Sequence, residues 1–430
     1  MIVNFAVQNF GSIKERQILS FEADKSTHLE DSYIINIRGK RLLKLALIYG
    51  ANASGKTTVL QALDFLRSLV VHPKGQKTDE LDFSPYLFDA QTPKQNSVMN
   101  IEFYQNEEKY LYEVEFCRRA IVSEKLYFHQ PNKAIVFKRE TNMDSQYTTL
   151  SFGSKFPKNK EFEQVLAANT LWNNTVLGGY LKTNIEFKIL KEVTDWFQHN
   201  LKPIIYANSS LESFVNKKID DGEISESNVV SILKKADINI SNILLQKQEE
   251  IPKGLITFLK SRKGTSDEEI KILEEKSKKY TIKPLFEHEV NSKKYTLPID
   301  AESHGTIRYY GFAGLLSLLI SRPNVLTIDE LESSLHPDLY THFLLSFLLN
   351  SKHSQIIATT HNREIFDNKD IFRKDAIWFT NKTETCATEL YSLADFDTSV
   401  IRDTTNILNA YKSGKLSGTP DLGDAYIDLE

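Results

Sequence analysis

The chain has 430 residues, 41% hydrophobic and 26% charged, with a formal net charge of -4. That make-up belongs to a folded globular protein of two or three lobes and excludes a disordered chain. The absence of any run near the roughly 20 apolar residues of a membrane-spanning helix and the opening Met1-Ile2-Val3-Asn4-Phe5, which lacks a secretory signal, predict a cytoplasmic protein with no membrane partner.

Cys117 and Cys386 are the only cysteines, which excludes a disulfide framework and a zinc site and leaves both as packing residues. The acidic balance speaks against a whole-surface nucleic-acid binder but leaves local basic patches open.

In chain order, the alternation of Ile2-Val3-Asn4-Phe5-Ala6-Val7 predicts a strand entering a turn at Asn9-Phe10-Gly11-Ser12, and a second strand is expected over Gln17 to Glu22. The apolar run from Leu42 to Tyr49 has the pattern of a parallel strand buried on both faces. Val59, Leu60, Leu63, Leu66, Leu69 and Val70 then recur at helical spacing up to His72-Pro73-Lys74-Gly75. An antiparallel meander is expected from Val98 to Val136, and a mostly helical stretch from Glu161 to Lys279. The latter contains the mixed-charge run Lys260 to Glu269, which fits a solvated face. A helix over Gly311 to Ile320 and buried strands over Val325 to Ile328 and Gln355 to Thr360 complete the pattern of a parallel α/β core.

Gly50-Ala51-Asn52-Ala53-Ser54-Gly55-Lys56-Thr57 fits G-x-x-x-x-G-K-[ST] between a predicted strand and a predicted helix, the context that this phosphate loop requires. Glycines let backbone N–H groups curl around phosphate oxygens, and the helix N-terminus adds partial positive charge. Gly50, Asn52, Ala53, Ser54 and Gly55 are therefore candidate ATP contacts. Lys56, expected to be a surface lysine whose loss leaves the fold intact, would neutralise the β and γ phosphates. Thr57 would ligate Mg²⁺. Thr58, the last candidate contact, is expected to face the helix interior.

Val325-Leu326-Thr327-Ile328-Asp329-Glu330 is an apolar strand ending in two carboxylates. Taken alone, such a pair serves equally well to cap the next helix. Beside a phosphate loop it reads as a Walker B element, with Asp329 on the Mg²⁺ shell and Glu330 polarising the attacking water. The strand Gln355 to Thr360 delivers His361 to its carboxyl end, where ligands of open α/β sheets gather, as a candidate γ-phosphate contact. A small-GTPase reading fails because Asn216-Lys217-Lys218-Ile219 lacks the aspartate of N-K-x-D.

These residues resemble the ABC-type ATPase heads of the SMC and RecF proteins. Asn9-Phe10-Gly11-Ser12, Glu302-Ser303-His304-Gly305-Thr306 and Leu331-Glu332-Ser333-Ser334-Leu335-His336-Pro337 carry the resemblance further. The second resembles a shortened signature motif, with Ser303 and Gly305 spaced to grip a neighbour's γ-phosphate; Ser303 alternatively caps a helix. The third resembles a D-loop in which His336 stands where many ABC proteins have aspartate. Phe372 to Phe379, Glu389 to Phe396 and Tyr411-Lys412-Ser413-Gly414 are similar to compact ATPases of bacterial abortive-infection and phage-defence systems, such as the ATPase subunit of the PARIS system. Gln91 and Gln95 are both candidates for a glutamine lid, with nothing to choose between them.

The resemblance implies an α/β P-loop NTPase, an ABC-type ATPase head with an antiparallel β addition and a mostly helical insertion. Residues 1–155 would form the N-terminal lobe, 156–285 the insertion and 286–430 the C-terminal lobe. It implies a homodimer through composite ATP sites, with room for a higher oligomer, and a defence ATPase answering a phage-derived trigger. OLD-family relatives carry a nuclease after the ATPase; residues 362–430 read as the end of the head, so a separate toxic effector is expected. The competing reading is a RecF- or SMC-like DNA-binding ATPase whose Lys253, Lys260, Arg262 and Lys263 meet phosphates. A scaffold that binds ATP without turnover is disfavoured by Glu330.

Overall fold

The computed structural model describes residues 1–154, 159–250, 279–396, 406–416 and 418–419. Lys253, Lys260, Arg262, Lys263 and the charged run around them lie outside the described residues. Strands β1 (Ile2–Gln8), β2 (Gln17–Ser20), β3 (Ile34–Ile37), β4 (Lys40–Leu43) and β5 (Leu45–Gly50) precede a meander of β6 (Ser97–Gln105), β7 (Glu108–Phe116), β8 (Ile121–His129), β9 (Lys133–Asn142) and β10 (Tyr147–Phe152). Later come β11 (Asn242–Glu250), β12 (Lys279–Val290), β13 (Lys293–Pro298), β14 (Val325–Ile328), β15 (Gln355–Thr359), β16 (Ile377–Lys382) and β17 (Thr388–Ser392).

The α-helices among the described residues are α1 (Glu30–Tyr33), α2 (Lys56–Val71), α3 (Lys160–Asn169), α4 (Val176–Tyr180), α5 (Lys188–Asp195), α6 (Leu211–Asp220), α7 (Glu226–Lys235), α8 (His304–Ser321), α9 (Pro337–Asn350) and α10 (Ile407–Lys412). None of the described helices is long and apolar enough to cross a membrane. The chain divides into two compact units, one of Met1–Ala207, Arg322–Ser333 and Leu344–Glu430, the other of Asn208–Ser321 and Ser334–Phe343.

The first unit holds a five-stranded sheet ordered β14-β15-β5-β16-β17, parallel except for β17. Every residue of β5, β14 and β15 is buried, which is why their sequences run apolar instead of alternating. Parallel pairing brings the carboxyl ends of these strands to one edge, with Ile328 level with Ala358 and Ala358 with Leu47.

The unit's seven-stranded antiparallel sheet, ordered β10-β9-β8-β7-β6-β1-β2, extends the expected meander to Phe152. Alternating burial along β6 and β7 marks it as covered on one face. Glu124 and Arg139, both fully buried and 3.5 Å apart, fasten this sheet to the following loop. Arg139 donates to the carbonyls of Leu171, Trp172 and Asn174, and Glu124 accepts the Val176 N–H at 2.7 Å. Those bonds satisfy charges that burial otherwise penalises.

Three sequence expectations need correction. The apolar run from Leu42 to Tyr49 is not one strand: it breaks at Lys44 into the end of β4 and the parallel β5, and Lys44, buried, donates from Nζ to the Leu348 carbonyl at 2.8 Å. There the Lys44 N–H donates to the Tyr33 carbonyl and its own carbonyl accepts the Ile356 N–H, so the chain passes from the pair β3-β4 to the five-stranded sheet. The strand expected to reach Glu22 ends at Ser20. Among the described residues the helices after Glu161 end at Lys235, and β11 then pairs antiparallel with β12.

In the second unit, α6 and α7 pack on α8, and β11, β12 and β13 form a three-stranded antiparallel sheet. A Cβ at Gly311 or Gly314 would lie 2.4 Å from Leu211 Cβ or 2.3 Å from Val215 Cγ2, so α8 carries glycine where α6 approaches closest. Tyr310 donates to Asn216 Oδ1 at 2.6 Å, and its ring meets Phe286 edge-on at 5.1 Å. The expected helix over Gly311 to Ile320 is the interior of α8.

Candidate functional site

The buried strand β5 ends at Gly50 and α2 begins at Lys56, leaving the intervening loop at the carboxyl edge of the parallel sheet. Gly55, with φ of 104°, occupies backbone space that favours glycine, and a Cβ there would lie 2.0 Å from Thr388 Oγ1. A Cβ at Gly50 would lie 2.4 Å from Thr380 Oγ1. Asn52 and Ala53 are exposed and Ser54 is buried. The loop opens onto the N-terminus of a 16-residue helix, whose unpaired N–H groups favour an anion.

Lys56 is not a surface lysine: it is 7% exposed, and its Nζ donates to the carbonyls of Gly50 at 2.9 Å and Ala51 at 3.1 Å. Burial pushes its pKa below the ordinary lysine value, against the pull of Asp329, Glu330 and Glu332. A cation held among carbonyls at the loop's mouth is placed to exchange those acceptors for phosphate oxygens.

Thr57 Oγ1 donates to both oxygens of Asp329, at 3.0 and 3.1 Å. Asp329 Oδ1 also accepts from Thr359 Oγ1 at 2.6 Å, and Thr359 Oγ1 accepts the Glu330 N–H at 2.8 Å. Glu330 itself sits at φ of 51°, in the left-handed region that non-glycine residues seldom occupy. Thr57 and Asp329 together offer a hydroxyl and a carboxylate, the hard oxygen donors that suit Mg²⁺.

His361 follows β15, its backbone N–H donating to Glu332 Oε1 at 2.5 Å, while Glu332 Oε2 is buried without a hydrogen-bond partner. Desolvation and then Lys56 push the His361 imidazole below its ordinary pKa, with Glu332 and Glu330 opposing. A neutral imidazole still donates through one nitrogen.

Thr58 does not turn into the helix interior as expected; its Oγ1 lies 3.1 Å from Ser12 Oγ in the turn after β1. Ser303 and Gly305 belong to the second unit. There Ser303 caps α8, its Oγ accepting the Thr306 N–H at 3.0 Å, and it remains exposed. His336, also exposed, turns back to Asp338. Gln91 and Gln95 are exposed on either side of the 3-10 turn Thr92–Lys94.

A cleft of about 630 Å³ runs along α2, lined by Phe10, Gln61, Asp64, Phe65 and Ser68 among others, and takes in none of the loop from Gly50 to Thr57. Sequence reasoning gave no individual role to Thr359, Glu332, Thr380 or Thr388. Thr359 stood two residues before His361 as a visible polar interruption in an apolar strand.

The parallel sheet carries the phosphate loop, Asp329 and His361 to one edge, and that arrangement makes the first unit a P-loop NTPase domain with an antiparallel β addition. The chain belongs to the family described as "AAA domain, putative AbiEii toxin, Type IV TA system", whose model matches residues 45–367. It is a nucleotide-binding ATPase domain of that family.

Among solved structures, an SMC head bound to the C-terminal winged-helix domain of ScpA is similar at 13% identity, with 91% of this chain and 97% of that chain covered and a TM-score of 0.42. The SMC head domain from Thermotoga maritima is similar at 11% identity, with 91% and 98% covered and a TM-score of 0.37. No curated protein matches the chain.

Proposed function

We propose that this protein binds and hydrolyses ATP with Mg²⁺ and uses its nucleotide state to hold or release a separate toxic effector in bacterial defence against phage. The observation that carries the enzymatic part is the chain of contacts from Thr57 through Asp329 and Thr359 to the Glu330 backbone. It joins the metal-ligating pair to the residue that would polarise water. When bound, Mg²⁺ supplies neutralisation of the β and γ phosphate oxygens, held by Thr57 and Asp329. Lys56 would bind the phosphate tail, Glu330 would orient and polarise the attacking water, and His361 would contact the γ-phosphate.

The family's description, with its toxin and toxin–antitoxin terms, supports the defence setting. The assembly is a homodimer in which Ser303 and Gly305 of one copy meet the γ-phosphate held by the other. Supporting this, Ser303 is exposed at the N-terminus of the 18-residue α8, a helix end suited to an anion.

The test is hydrolysis by the purified full chain, wild type against Glu330→Gln, together with tagged pull-down from its native host. Magnesium-dependent turnover lost in Glu330→Gln and a co-purifying toxic protein are expected. Equal turnover in the two proteins would remove the catalytic assignment, and an isolated chain with no bound partner would count against the effector.

A further inference from the structure

The phosphate loop is backed by the hydroxyls of Ser12, Ser54, Thr58, Thr380 and Thr388, which converge from the turn after β1, the loop itself, α2, β16 and β17. Ser54 Oγ lies 2.6 Å from Thr380 Oγ1, and Thr388 Oγ1 donates to the Ser54 carbonyl at 2.9 Å. Ser12 Oγ stands 2.7 Å from Thr388 Oγ1 and 3.1 Å from Thr58 Oγ1. The Thr388 N–H donates to the Ser12 carbonyl at 2.8 Å, so backbone and side chain hold the same pair together. Thr380 and Thr388 are 0% and 1% exposed.

Buried hydroxyls persist where their hydrogen bonds are made, and these are made with the loop. The loop needs support, because Ala53 at φ of 62° and Gly55 at φ of 104° both hold left-handed backbone. The same closeness explains the second glycine of the motif: Thr388 stands where a side chain at position 55 would be, 2.0 Å from its Cβ. The clasp reaches the loop through Ser54 and Thr58, whereas the acids reach it through Thr57.

We infer that Thr388, with Ser12 and Thr380, is a positioning residue for the phosphate loop: it holds the backbone N–H groups in the shape that receives the triphosphate and so sets nucleotide affinity without touching the nucleotide. This rests on the reading of the loop as an ATP site. A preformed cradle avoids ordering cost at the moment of binding, so loosening the clasp weakens binding and leaves the bound complex's turnover nearly intact.

The experiment uses the full chain, a fluorescent ATP analogue with Mg²⁺ and steady-state hydrolysis. Thr388→Val, which keeps shape and removes the hydroxyl, should raise Kd and KM for ATP about 5- to 10-fold with kcat changed less than about twofold. Thr388→Ser should restore affinity to within about twofold of wild type. Wild-type affinity in Thr388→Val, an equal loss in Thr388→Ser, or a fall in kcat at unchanged KM would overturn the inference.

Ser12→Ala, at a half-buried turn, carries the same test if Thr388→Val fails to fold, with a rise in Kd of about threefold expected and wild-type affinity overturning it. Lys56→Ala separates the two levels. If it binds ATP like wild type, the ATP reading and the clasp fall together; if it loses binding while the folded clasp variants keep theirs, the clasp alone falls.

Discussion

Thr359 Oγ1 donates to Asp329 Oδ1 at 2.6 Å and accepts the Glu330 N–H at 2.8 Å, so one hydroxyl on β15 fixes both acids at the end of β14. Thr359→Val keeps the strand's shape and removes both bonds. It leaves the Asp329 carboxylate held by Thr57 alone and the Glu330 N–H, held at φ of 51°, without its acceptor. The expected result is a fall in kcat of about 10- to 100-fold with ATP affinity near wild type, because the Lys56 side of the loop is untouched. Thr359→Ser should recover most of the rate. Single-turnover hydrolysis across a Mg²⁺ titration checks this, and a Val variant with the wild-type rate would show that the acids hold their positions alone.

Lys56→Ala should abolish ATP binding, since it removes the buried cation at the loop's mouth that would meet the phosphates. Its burial adds a structural cost that a surface lysine would not have, because the carbonyls of Gly50 and Ala51 lose their donor. A melting temperature lowered by a few degrees, with the far-ultraviolet spectrum unchanged, is expected. Equilibrium binding of a fluorescent ATP analogue settles the first part, and wild-type affinity in a folded variant would dismiss the phosphate-loop assignment.

The legible parts of the site were those whose chemistry is contiguous in sequence. Lys56 and Thr57 stand in a fixed motif, and Asp329 and Glu330 end an apolar run. Thr359 escaped because its partners depend on the parallel register that sets Ile328 beside Ala358, which no local pattern encodes. Ser12 and Thr388 meet only because β17 folds back beside β16 and β2 pairs with β1, bringing residues from opposite ends of the chain together.

The fold was read on the same terms. Continuous apolar strands and α2 were visible, while Lys44 hid inside an apolar run because its acceptor, the Leu348 carbonyl, is remote in sequence. The strand β11, Asn242–Glu250, lies within a stretch whose sequence predicts helix, because its polar second half, Gln-Lys-Gln-Glu-Glu, carries no two-residue alternation.

Lys44 gives a stability signature of its own. Burial pushes its pKa from 10.5 down to about 8, so between those values the unfolded chain binds more protons than the folded one. Stability contributed by this group therefore rises with pH through that window, and the cost of burying the charge is fully present below it. Lys44→Met keeps the packed stem and removes the titration. The difference in unfolding free energy, wild type minus Lys44→Met, should climb from about pH 8 to 10 with a slope approaching one proton. Urea melts across that range measure it, and parallel curves for the two proteins would refute the buried titration.

Removing the Glu330 charge separates binding from hydrolysis and tests the assembly. Glu330→Gln preserves size and the backbone geometry anchored by Thr359 but removes the negative charge that would polarise water. Losses on removing a general base are about 10²- to 10⁴-fold, while Lys56, Thr57 and Asp329 remain to hold the nucleotide. ATP should therefore bind and persist. If Ser303 and Gly305 of a second copy contact that γ-phosphate, persistent ATP should hold two copies together, and light scattering should show Glu330→Gln dimerising with ATP and Mg²⁺ but not with ADP. Adding Ser303→Arg should return the ATP-bound protein to monomer, because the longer charged side chain obstructs the neighbour's site. Capping makes a control necessary: Ser303 also accepts the Thr306 N–H, so its loss weakens the start of α8. Ser303→Asp retains a capping oxygen while placing a negative charge beside the phosphate, and it should fold normally yet fail to dimerise. A Glu330→Gln protein that stays monomeric with ATP bound, or a Ser303→Asp variant that dimerises like its parent, would reject the composite site and leave the phosphate loop as an independent ATP site.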